Sequence, residues 1–421
     1  MVSESRLGKL LVMTISFVGH TFCRSCEPHC VNNCDDLNGN IQSECGGCPD
    51  TAEWLCRPAT WSIGTDNWRR RGISLVYTPV SCASRPQLPT EQRARAAIIG
   101  SWVADAATMG LHWIYNPNDI RQRLAAGQMP EFFEPPASPE YGAHSLHAAF
   151  YVSGANSPYA DEVLPLLRSV ANEGRFDAER FVNESVSFLE KYGGRSNSVM
   201  QQFVEAEHSG RHWPLSAVND NQAHAIVKVP VLTARYAGST ELGTRVAEAV
   251  RVHQDSELAV TIGVMAARIL ERVILGASVA EALAWASEGG GAPIDEKVRR
   301  FVVQALCGTS GCAGSTEAAG DRLGRSCTLP GAFQVSLHAV SGCTGYVDAV
   351  RSNILAGGDQ SSRAMLIGAL LAAEQGDNAI PSEWKARVQP DRLAEVAELA
   401  VRVVLANEFT NKSVLRELRH M

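Results

Sequence analysis

The sequence predicts an all-α protein, and three observations carry that expectation. From Thr90 onward Ala, Leu, Val, Glu and Arg dominate, and apolar residues recur with a helical period. Strand signals are sparse after residue 90. The one β-like run, 73–80, comes earlier, among Pro58, Pro79, Pro86 and Pro89. Hydrophobic residues make up 45% of the 421, enough for a sizeable core. The helix faces of residues 90–421 must therefore pack on one another.

The N-terminus is of a different kind. Arg6 and Lys9 precede the apolar run 10–18, the pattern of a secretory signal peptide, which is assigned to residues 1–25. Cys23, Cys26, Cys30, Cys34, Cys45, Cys48 and Cys56 follow. Cleavage before Cys26 leaves an even set, as a disulfide framework requires. Residues 26–56 are too polar to hold a core without staples, so they read as a Cys-rich disulfide module. Zinc competes, because Cys23-x-x-Cys26 and Cys45-x-x-Cys48 have ligand spacing and His29 is near. The preceding apolar run favours disulfides and a secretory or extracellular location. Residues 57–89 read as a linker. Cys82, Cys307, Cys312, Cys327 and Cys343 are scattered and read as buried or loop thiols.

Within the body, helices are expected over 91–109, 161–172, 178–192, 223–236, 243–252, 257–274, 279–287, 295–306, 330–338, 345–353, 362–375 and 391–405. The stretch 308–326 is rich in Gly, Ser and Ala and reads as a loop. The net charge of −7 and pI near 5.9 argue against a nucleic-acid partner. No apolar stretch reaches the ~18 residues of a membrane span, so no membrane partner is expected.

Three polar places stand at or inside helices. Asp105 lies in an apolar helix, where a carboxylate is costly unless paired or bound to a cation. It is followed closely by His112 and Trp113. Asp161 and Glu162 open a helix, where the helix dipole alone would account for them. Gly357-Gly358-Asp359, with Ser361 and Ser362, reads as a glycine turn and a helix start capped by Asp or Ser. Its oxygens also suit a hard cation such as Mg²⁺.

The order of these places, with the stretches 159–169, 222–238, 325–337 and 356–373, resembles the ADP-ribosylglycohydrolase superfamily. The likeness is greatest to its branch containing the J-type eye-lens crystallins, and it covers residues 92–405. The resemblance implies an orthogonal multi-helix bundle with two Mg²⁺ ions in a central cleft. The family's Ser/Thr-Asp-Asp-Thr motif is Ala160-Asp161-Glu162-Val163 here. Its Gly-Gly-Asp-x-Asp-Thr/Ser motif is Gly357-Gly358-Asp359-Gln360-Ser361-Ser362. One acidic ligand is lost and another lengthened, so one Mg²⁺ is expected and two are doubtful.

The resemblance assigns metal ligation to Asp161, Glu162, Asp359 and Ser362, and catalysis to Glu162 and Asp161. Contact with a small-molecule or ADP-ribosylated substrate falls to Asp105, His112, Gln222, His224, Gly357 and Gly358. Glu131, Glu134 and Glu140 are equal candidates for the general acid. The leading expectation is a hydrolase that cleaves an N- or O-glycosidic bond to an ADP-ribose-like group with Mg²⁺. The alternative is a non-catalytic structural or ligand-binding member with a degraded metal site. Oligomeric state is not legible.

Overall fold

The computed structural model describes residues 61–63, 75–77, 86–134, 151–289, 295–306, 314–342 and 344–407. The signal peptide, the Cys-rich module, Glu140 and every cysteine except Cys327 lie outside the described residues. So does most of the linker. Its described part is a short antiparallel pair, β1 (Trp61–Ile63) and β2 (Leu75–Tyr77), with Ser62 opposite Val76. The second strand falls inside the β-like run.

Seventeen α-helices follow among the described residues. They are α1 (Thr90–Thr108), α2 (Pro117–Arg123), α3 (Pro158–Glu173), α4 (Ala178–Leu189), α5 (Ser198–His208) and α6 (His224–Val227). Next come α7 (Val229–Tyr236), α8 (Leu242–His253), α9 (Glu257–Ile274), α10 (Val279–Glu288), α11 (Glu296–Leu306) and α12 (Thr316–Leu323). The last are α13 (Gly331–Val340), α14 (Tyr346–Leu355), α15 (Gln360–Gln375), α16 (Ser382–Arg387) and α17 (Pro390–Leu405).

Helices α1 and α15 form the centre. Small and apolar residues lie on every side of both, and both are buried along nearly their whole length. Gly100 and Gly368 make the pairing possible. A Cβ on Gly368 would stand 2.4 Å from the Gly100 carbonyl oxygen, and one on Gly100 would meet Ala372 at the same distance. Only glycine lets the two backbones come this close. The Tyr346 hydroxyl then donates to the Gly100 carbonyl at 2.6 Å, tying α14 to the pair. Helices α3, α7, α9, α13 and α17 pack around this axis, so the core is continuous from Ala94 to Val404.

Several expectations need correction, among them that helices α2 and α16 were not expected and that the single helix read over 223–236 is the pair α6 and α7. Helix α3 starts at Pro158, three residues before Asp161, because Ser157 is its N-cap and proline suits the first turn. Helix α15 starts at Gln360, and Asp359, though in the N-cap position, makes no capping hydrogen bond. Helix α5 was not expected; Asn197 caps it, and it buries Val199, Met200, Phe203 and Ala206. Helix α12 lies within the stretch read as a loop. It buries only Thr316, Ala319 and Gly320, too little for an apolar period to announce it. Among the described residues, no helix is long and apolar enough to cross a membrane.

Candidate functional site

Asp105 fixes the head of α3. It is fully buried, and its carboxylate accepts from the Ser157 N–H at 2.8 Å, the Ser157 hydroxyl and Asn156 Nδ2 at 2.9 Å. Ser157 in turn accepts the Tyr159 N–H at 3.1 Å. Burial pushes the Asp105 carboxyl up to about 7, against the pull of those donors. The residue expected to touch substrate thus ties α1 to the start of α3.

Asp161 and Glu162 follow on the same helix, where consecutive side chains diverge by about 100°. The Tyr192 hydroxyl donates to Asp161 at 2.8 Å, and Arg392 Nη2 pairs with its other oxygen at 3.2 Å. Burial raises the Asp161 carboxyl to about 6, with Arg392 and Tyr192 holding it down and Glu162 adding to the rise. Glu162 points elsewhere. It meets His224 Nδ1 at 2.7 Å and accepts from Asn197 Nδ2 at 3.1 Å. Behind His224, the buried Lys228 ammonium donates to the His224 carbonyl at 2.8 Å. Burial lowers Lys228 to about 8, and the Glu162 charge partly restores it.

The glycine turn is held between two loops. Gly357 and Gly358 have φ of 73° and 85°. A Cβ on Gly358 would stand 1.9 Å from the Arg325 carbonyl oxygen, and one on Gly357 would stand 2.9 Å from that of Tyr115. Trp113 N–H donates to the Gly358 carbonyl at 2.9 Å, and Asp359 N–H to that of Arg325 at 2.8 Å. These glycines therefore serve the close approach of backbones. Arg363, fully buried, anchors the same turn through Asn353 Oδ1 at 2.7 Å and the Gly357 carbonyl.

The turn delivers Asp359 into a buried hydrogen-bond network. Trp113 Nε1 donates to its Oδ1 at 2.9 Å, and the Ser362 hydroxyl donates to its Oδ2. His112 accepts the Ser361 N–H through Nδ1 at 3.3 Å, which puts its ring proton on Nε2, 3.6 Å from Asp359 Oδ1. Burial raises the Asp359 carboxyl, while Ser362, Arg363 and Trp113 oppose the rise.

Tyr159 stands between the two acidic groups. Its ring centre lies 6.0 Å from that of His112, on the Asp359 side, and 5.3 Å from that of His224, on the Glu162 side. Burial, with the nearby charges of Asp359 and Glu162, pushes its hydroxyl well above the usual tyrosine range. An uncharged aromatic side chain thus separates the two acidic groups.

This arrangement does not fit a magnesium centre. Mg²⁺ requires near-octahedral oxygens at about 2.0–2.1 Å. Here the carboxylates of Asp161, Glu162 and Asp359 each have a different set of side-chain partners, and their oxygens are already engaged by them. One of those donors, Arg392, is itself a cation. Among the described residues, no group of three or more His, Cys, Asp or Glu comes together as a metal site requires.

The remaining expected residues are placed as follows. Gln222 belongs to a different network, with its side-chain amide on Asp220 at 3.0 Å. Glu131 is paired through both oxygens with Arg351, at 2.7 and 2.9 Å. Glu134 accepts the Ser153 N–H at 3.2 Å in an exposed position. Sequence reasoning missed Tyr192, Asn197, Lys228 and Arg392. Only Lys228 carried a usable signal, as an isolated cation in an apolar helical run.

The ADP-ribosylglycohydrolase family model matches residues 86–413. Crystallin J1A of Tripedalia cystophora is 30% identical over 312 residues, covering 70% of this chain and 92% of the relative. Crystallin J1B of the same animal is 27% identical over 333 residues, covering 75% and 97%. A solved ADP-ribosylglycohydrolase-related protein complex shares the fold, with a TM-score of 0.56, 17% identity and coverage of 76% and 99%. The helical bundle and the ordered polar places agree with these matches: the chain belongs to the ADP-ribosylglycohydrolase family.

Proposed function

We propose that this chain is a non-catalytic member of its family, a stable helical scaffold whose ancestral metal positions serve as internal hydrogen-bond acceptors. The pairing of Asp161 with Arg392 and Tyr192 is the observation that carries this reading. A guanidinium now neutralises a carboxylate that the family uses for metal. The other acids follow the same logic, with Glu162 on His224 and Asn197 and Asp359 on Trp113 and Ser362. A buried polar group is tolerated when its hydrogen bonds are satisfied, and these networks also hold the helix starts in register. The crystallin relatives support a structural use of the fold, although fold alone does not decide function.

The retained acids favour a second reading, a hydrolase of a glycosidic bond to an ADP-ribose-like group. Asp161, raised to about 6, would suit proton transfer near neutral pH. Against it, Asp359, His112 and His224 expose essentially no surface to a substrate.

A turnover assay separates the two. The chain, incubated with ADP-ribosylated peptide and millimolar Mg²⁺, should release no ADP-ribose above the level of an Asp161→Ala, Asp359→Ala double variant. Release that the double variant abolishes would overturn the scaffold reading.

A further inference from the structure

Arg392 has a second environment besides Asp161. It lines a cavity of about 320 Å³ with Arg168, Glu184, Phe188, Lys191, Tyr192 and Gly193. That volume is at the lower end of small-molecule sites. The walls come from α3, α4, the turn after α4, and the start of α17.

Of the charged groups in the wall, only Lys191 has no ion pair among the described residues. Arg168 pairs with Glu395 at 2.6 Å, and Arg392 with Asp161 at 3.2 Å. Glu184, the acid in the wall, pairs with Arg180 at 2.9 Å. Lys191 is exposed. Arg392 also keeps its buried Nη1 without a hydrogen-bond partner.

The wall also has an aromatic part. The rings of Phe188 and Tyr192 stack with centres 5.4 Å apart and planes 30° from parallel. Beside them, a Cβ added at Gly193 would meet no atom within 4 Å, so that side is open.

We infer that this cavity is a binding site for a small phosphomonoester with an aromatic body. Arg168, Lys191 and Arg392 donate from three separate elements. A tetrahedral dianion offers oxygens in three directions, whereas a planar carboxylate offers two. The Phe188 and Tyr192 pair gives the body of the ligand a flat surface. The site shares Arg392 and Tyr192 with Asp161, and so rests on the pairing that carries the proposed function, but its binding of an anion is read without any turnover.

Phenyl phosphate is the direct probe, titrated into the full chain by calorimetry beside inorganic phosphate and benzoate. Phenyl phosphate should saturate one site below about 10 mM and bind roughly tenfold more tightly than either comparison anion. Lys191→Met and Arg168→Met should each weaken it by about tenfold while leaving the circular dichroism spectrum unchanged. Arg168 and Lys191 lie at the surface, so both variants should fold. Absence of saturable binding would overturn the inference. So would equal binding of benzoate, or binding that neither variant weakens.

Discussion

Arg392 Nη2 lies 3.2 Å from Asp161 Oδ1, joining the start of α17 to the first turns of α3. The carboxylate is nearly buried, and the guanidinium is about one-fifth exposed, with 22% of its side-chain surface accessible. The pair therefore lies between a surface ion pair of little consequence and a buried one that is costly to break.

Arg392→Met should destabilise the chain by about 1–3 kcal/mol at pH 8, where it leaves Asp161 charged and without its cation. Protonation removes that charge. The loss should therefore shrink at pH 5, below the value of about 6 that Asp161 holds in the folded chain. Denaturant unfolding at the two pH values checks this. An equal loss at both would show that the guanidinium acts through packing alone.

Asp105 gives a pH dependence of definite sign. Its folded value is about 7 and its unfolded value 3.8, so the folded chain binds a proton that the unfolded chain does not. The stability this group contributes is fully present below pH 3.8 and is lost as the pH rises through about 7. Asp105→Asn keeps an acceptor for Ser157 and removes the titration. The parent's melting temperature should fall relative to the variant's as the pH rises from 4 to 7, with the parent's advantage greatest at the acid end.

His253 works in the opposite direction. It closes α8, fully buried between the rings of Phe181 and Phe203, and neither ring nitrogen has a hydrogen-bond partner. Burial, with Lys228 and His224 nearby, holds it well below the usual histidine value of 6.5. Its contribution is present above pH 6.5 and is lost as the pH falls toward the lower folded value. His253→Leu should therefore raise the melting temperature, and more so at pH 5 than at pH 8. A loss of stability at pH 5 would contradict this account of the residue.

The fold was legible because the long helices announce themselves. Residues 257–274 and 391–405 have strong apolar periods, and the structure has helices there. The shorter α2, α5, α12 and α16 were missed because each buries only a few side chains, and their order comes from neighbours distant in sequence. At the site, residue types and order drew attention to Asp161, Glu162, Asp359, Ser362, His112 and His224, and the structure sets the rings of His112 and His224 on either side of Tyr159. What each carboxylate pairs with was not legible. Arg392 meets Asp161 only because α17 packs against α3, and nothing local to residue 392 records that contact. The same holds for Tyr192, which a turn after α4 delivers. Motif letters named the acids; long-range packing determined which way they face.

Magnesium binding tests the central claim most directly. Mg²⁺ titrated by calorimetry into the folded chain at pH 7.5 should produce no saturable heat up to about 10 mM, because the acids already have separate internal partners. Saturable Mg²⁺ binding that Asp161→Ala together with Asp359→Ala abolishes would contradict it.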